Sequence, residues 1–163
     1  MRDGEIPPER ICDPVGKRFP SLGRDPERTP MQWNGEPGAG FSRNVDTWLP
    51  LAADFTSVNV ARQANDPASL FSFYRRAIWF RKSAPALLEG SYRGLDSPPD
   101  TFVFVREHGV QRLLVALNFG AEPRTIELPA SGKGAVALST DDALAIAGSR
   151  IVLRPATGAV IEL

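Results

Sequence analysis

The string GRDPERTPMQW places Arg24, Asp25 and Arg28 beside a Thr-Pro turn and an indole, Trp33. A guanidinium is a planar fork of donors suited to paired sugar hydroxyls or to a carboxylate, and a tryptophan face either stacks on a flat ligand or fills a core. Two uses stay open for Arg24 and Arg28: gripping a ligand, or forming ion pairs that pin the loop. Carboxylates are plentiful nearby at Asp25, Glu27, Asp46 and Asp54. A glycosidase needs two of them facing across a sugar, but spacing within a loop does not set any two face to face. Solvated, capping or ion-paired roles are expected for each.

The remaining reactive types point nowhere specific. The single cysteine, Cys12, excludes a disulfide framework within the chain, a CxxC redox pair and a multi-cysteine zinc site. The single histidine, His108, falls in a predicted hairpin turn. Ser42 and Ser69 lack the G-x-S-x-G setting of a hydrolase nucleophile. GEPGAG (35–40) is glycine-rich but lacks the Lys-Ser/Thr of a phosphate loop, and no predicted strand precedes it. No metal and no cofactor is expected. Lys+Arg 19 against Asp+Glu 19 leaves no net charge, which argues against nucleic acid or an anionic membrane as partner. No apolar run approaches the ~20 residues of a membrane helix, and no leader pattern opens the sequence. The expectation is a soluble, cytoplasmic protein.

Three kinds of element must position these groups. Residues 1–50 hold 14 of the 29 glycines and prolines, too many for long regular structure. Yet Met31, Trp33, Phe41, Trp48 and Leu49 lie in or beside the same stretch, unlike the polar composition of disordered chain. An ordered, irregular excursion that packs its rings on another surface is expected. A helix follows over 66–84, with Asp66 as cap, Pro67 in its first turn and Pro85 beyond its end. Leu70, Phe73, Tyr74, Ala77, Ile78 and Phe80 give it an apolar face, which Phe71 and Trp79 widen beyond the need of a solvent-lapped helix. Short strands come next at 101–106, 111–119, 124–128, 134–139, 150–153 and 159–163, separated by turn residues such as Gly109, Gly120 and Gly148. Such spacing suggests an antiparallel sandwich or barrel.

At a longer scale the residues carry a resemblance. GRDPERTPMQWNGEPGAGFS, followed by WLPL, VNVARQ, DPASLFSFYRRAIWFRKSAPAL, EGSY and LLVALNF, resembles the C-terminal part of α-glucosidases of glycoside hydrolase family 13. The subgroup is that of α-glucosidase, oligo-1,6-glucosidase and trehalose-synthase-like enzymes. The resemblance implies a mainly β fold: a C-terminal antiparallel β-sandwich preceded by an irregular loop and one helix left over from a truncated (β/α)₈ barrel. It implies the loop after the last barrel strand over 1–65, the final barrel helix over 66–86 and the sandwich over 87–163.

The same resemblance places the nucleophilic aspartate, the acid/base glutamate and the third carboxylate upstream of this sequence, so no catalytic residue is assigned here. Arg24 matches the arginine that in exo-acting members hydrogen-bonds the non-reducing-end glucose, which makes it the one implied substrate-binding residue. Arg28, Gln32 and Trp33 match the motif as loop supports. The implied ligand is an α-glucoside or maltooligosaccharide in a complete enzyme, the implied partner an upstream barrel polypeptide, and the chain alone is expected to be inactive. A non-catalytic carbohydrate-binding or complementing module, or the remnant of a disrupted gene, are the alternatives.

Overall fold

A computed structural model of the chain describes residues 6–129 and 134–163. It divides into two compact units, Met1–Phe73 and Tyr74–Leu163. In the first, proline dictates the local geometry. Single 3₁₀ turns form at Pro8–Arg10, Pro20–Leu22 and Asp25–Arg28, each opening with or just before a proline, and Pro37–Gly40 makes a kinked turn with left-handed backbone at Gly38 and Ala39. Two five-residue helices also form, α1 (Pro14–Arg18) and α2 (Val60–Ala64). Their starts follow capping chemistry: the Asp13 carboxylate accepts from the Val15 N–H ahead of Pro14, and the Asn59 amide oxygen accepts from the Arg62 N–H.

Backbone pairing holds the rest together. Trp33 and Asn34 N–H both donate to the Ala39 carbonyl, while Val60 and Ala61 N–H donate to the carbonyls of Gln32 and Trp33. The unit's own core is small (among the described residues Ile6, Pro30, Ala39, Leu49 and Ala52 are its buried apolar side chains), and Trp33 and Trp48 remain 51% and 66% exposed. The rings that looked meant for burial are therefore not buried by this unit itself.

Helix α3 (Leu70–Ser83) starts later than its sequence suggested. Asp66 instead closes a local turn onto the Ala68 N–H, and the Ser69 hydroxyl caps the helix by accepting from the Ser72 N–H. Helix α4 (Pro85–Leu88) follows at once. Leu70, Tyr74 and Ile78, one turn apart along α3, are all exposed together with Trp79, while Phe71, Phe73 and Phe80 are half-buried.

The second unit is a β-sandwich. One sheet runs in the order β1 (Ser91–Gly94), β2 (Thr101–His108), β3 (Gln111–Asn118), β8 (Thr157–Glu162), β5 (Ala135–Ser139). The other is β4 (Arg124–Glu127), β7 (Arg150–Leu153), β6 (Ile146–Ala147). Every pairing is antiparallel, and β5 joins β8 through a register shift between Val136 and Leu138. Alternation drives the assembly: Val103 and Val105, Leu114 and Ala116, Ile126, Ile151 and Leu153, Ala159 and Ile161 all turn into one buried cluster shared by the sheets. A smaller cluster joins Ala84, Ala86 and Leu113, with Phe80, Leu87 and Val160 against it. The expected strands are present; β1 and the two-residue β6 were not foreseen.

A buried carboxylate ties two sandwich connections together. Asp141, 6% exposed, receives the forked guanidinium of Arg154 and the N–H of Ala143. The Arg154 hydrogen bond, seconded by the Ala143 amide, holds the Asp141 carboxyl below the usual carboxylate range. A carboxylate more acidic when folded than when unfolded stabilises the fold fully above the ordinary carboxylate value, and that contribution disappears as pH falls through the lowered one. Amide exchange at Ala143 and Ile151 should therefore accelerate in an acid step that the Asp141→Asn variant lacks.

Candidate functional site

Arg24 sits where two short segments are laced together. Asp13, whose side chain is 1% exposed, accepts from the Arg24 backbone N–H through Oδ2 at 2.9 Å, and the same oxygen lies 3.5 Å from Arg24 Nε. Its other oxygen caps α1 at Val15, 2.9 Å away. Asp25 returns the connection: its Oδ2 accepts from the N–H groups of Cys12 at 2.7 Å and Asp13 at 2.9 Å. Two adjacent pairs, Cys12-Asp13 and Arg24-Asp25, thus hold each other by side chain to backbone. The Arg24 hydrogen bond comes first among the causes that keep the Asp13 carboxyl below its ordinary range, so it is ionised at neutral pH. Asp25 Oδ1, also buried, meets no donor among the described residues.

The Arg24 side chain itself is 63% exposed, and beyond the 3.5 Å ion pair of Nε with Asp13 its guanidinium has no partner among the described residues. Asp25 and Asp13 are spent as acceptors of N–H groups; the other carboxylates of the loop lie elsewhere. Asp46 is exposed and pairs with Arg10 at 3.2 Å, Asp54 is exposed 3.4 Å from the Gln32 amide, and Glu27 is exposed on the turn after Arg24. Gln32 anchors the motif, donating to the Val58 carbonyl at 2.7 Å. His108 is exposed at the end of β2, and the Cys12 thiol points to the Arg10 carbonyl. Among the described residues no group of three or more His, Cys, Asp or Glu could hold a metal ion, and no helix is long and apolar enough to cross a membrane. A polar cleft lined by Thr56, Asn59, Arg62, Gln63 and Asp66 does not include Arg24.

Comparison with known proteins decides the family. The model described as "Alpha amylase, catalytic domain" matches residues 9–90, which contain this whole site. The chain belongs to the alpha-amylase family. A second family model, "Alpha-amylase SusG C-terminal domain", matches residues 102–158, the bulk of the sandwich. This alpha-amylase family chain is similar to a probable alpha-glucosidase of Rhizobium meliloti, 37% identical over 79% of this chain and 24% of the relative. It is also similar to an oligo-1,6-glucosidase of Bacillus cereus, 38% identical over 66% of this chain and 19% of the relative. Among solved structures, an alpha-glucosyl transfer enzyme, XgtA, superposes with a TM-score of 0.84 at 33% identity, covering 99% of this chain and 30% of that one. The trehalulose synthase MutB of Pseudomonas mesoacidophila superposes at 0.75 with 33% identity, over 91% and 27%. The chain therefore spans about a quarter of the length of the relatives it matches.

Sequence reasoning on this alpha-amylase family member singled out Arg24 but overlooked Asp13, which holds it. The signal was available. An aspartate directly before a proline that opens a turn of helix is a capping signature, and a buried cap has a second oxygen to spend elsewhere.

Proposed function

We propose that this chain is the C-terminal part of a retaining α-glucosidase-like enzyme acting on small α-glucosides, in which Arg24 contacts the non-reducing-end glucose. The observation that carries the reading is Arg24 itself. Its backbone and Nε are held by a buried carboxylate while the outer edge of its guanidinium stays exposed, as a donor for paired hydroxyls must be. The family membership and the named glucosidase relatives support the substrate class. Residues 1–65 form the pocket rim, 66–86 the final barrel helix and 87–163 the β-domain. The whole works as a soluble, cytoplasmic protein with an upstream barrel polypeptide as partner.

In this reading the reacting carboxylates come from that partner. A retaining mechanism needs a nucleophile and an acid/base about 5 Å apart, and the loop carboxylates here are spent on capping, pairing or solvation. The purified chain should release no glucose from maltose, isomaltose, sucrose or p-nitrophenyl α-glucoside; turnover above a buffer blank would overturn the division of labour. Calorimetry with maltooligosaccharides separates the alternative of an independent carbohydrate-binding module, motivated by exposed Trp33, Trp48 and Trp79. Saturable binding that survives Arg24→Ala would favour that module.

A further inference from the structure

We propose that Asp13 is a positioning residue for Arg24, holding its Nε edge so that the outer edge of the guanidinium is a preset pair of donors. The geometry of this hold is independent of what Arg24 binds; the sugar as ligand rests on the reading above. Three observations carry it. The Asp13 carboxylate is buried while the guanidinium it faces is 63% exposed, so one edge of Arg24 is fixed and the other free. Asp13 cannot retreat, because its own N–H is held by Asp25 Oδ2 and its Oδ1 by the α1 cap. Glycines permit the approach: a Cβ on Gly16 would come within 3.1 Å of the Gly23 Cα, and one on Gly23 within 2.9 Å of the Gly16 Cα. A side chain at either position drives α1 and the Arg24 segment apart.

The consequence is energetic. Arg carries much rotamer freedom, and fixing it before ligand arrives removes that cost from binding. The charged groups that meet Asp13 are Arg24 and, through the Asp13 N–H, Asp25; Lys17 and Arg18 on α1 are exposed. The lowered pKa of Asp13, owed first to the Arg24 backbone N–H, agrees with the pairing.

The test uses the full chain labelled with nitrogen-15 and reads the Arg24 Nε–H. In the wild type its order parameter should approach that of rigid backbone, about 0.8, and in Asp13→Asn it should fall below about 0.6. Asparagine is chosen because it caps helices as well as aspartate does, so α1 and its amide signals should persist while the Oδ2 acceptor facing Arg24, and its charge, are lost. Gly23→Ala should free the same Nε–H with the carboxylate intact. Should Asp13→Asn fail to fold, the wild type decides alone. Its Arg24 Nε–H shift should move with pH at a midpoint below the ordinary aspartate value. Equal order parameters in wild type and variant, or an Nε–H shift flat through that acid range, would overturn the proposal. A failure of the sugar reading would appear in ligand binding and leave these signals unchanged.

Discussion

Asp25→Ala should loosen the Arg24 loop more than any other single change in the first unit, by about 3–6 kcal/mol, since hydrogen bonds to a charged group are worth about 1.5–3 kcal/mol each and two are lost. The Asp25 carboxylate is 2% exposed and receives the amides of Cys12 and Asp13. Truncation orphans both donors, one of them buried, and removes the constraint that brings Asp13 beneath Arg24. The outcome is read by amide exchange: the Cys12, Asp13 and Arg24 N–H groups should lose protection together. Asp25→Asn keeps an acceptor for the two amides but puts a donor where Oδ1 has no partner, so it should recover part of the loss. Protection unchanged in Asp25→Ala would show that the backbone turns alone hold the loop.

Leu114→Ala should have the largest effect in the second unit. Leu114 is fully buried on β3, between β2 and β8, and belongs to the cluster that joins the two sheets. Deleting a buried leucine costs transfer free energy plus a cavity term, about 2–5 kcal/mol. Neighbours from both sheets frame the site, so collapse around the void is limited and the upper part of that range applies. Urea unfolding followed at sandwich amides should show a lower midpoint with an unchanged slope. Exposed Val152, on the outer face of β7, provides the contrast: Val152→Ala should stay within about 0.5 kcal/mol of wild type.

The sandwich was legible because its strands alternate. In β2, Val103 and Val105 point inward while Phe102 and Phe104 point outward, and glycine or proline marks most of the turns. Strand β1 was missed because Ser91–Gly94 is exposed throughout and carries no inward pattern; it exists by pairing with β2. The start of α3 was misplaced because Asp66 and Ser69 both offer caps, and only the fold chooses between a local turn at Ala68 and the helix at Ser72. In the site, the sequence motif identified Arg24, but the hold upon it depends on residues 11 positions away. Local spacing does not reveal that two carboxylates cross-brace two backbone segments, since each could equally cap its own turn.

The two rims of the larger sheet end in different devices. At one rim stands a four-residue strand bearing Arg93; at the other, the shift between Val136 and Leu138 breaks the run of pairing groups. Short, charged or kinked margins are poor templates for recruiting another chain's backbone. Copies of this protein that meet at high concentration should therefore adhere through the uncovered indoles at Trp33 and Trp48 rather than by growing fibrils strand upon strand.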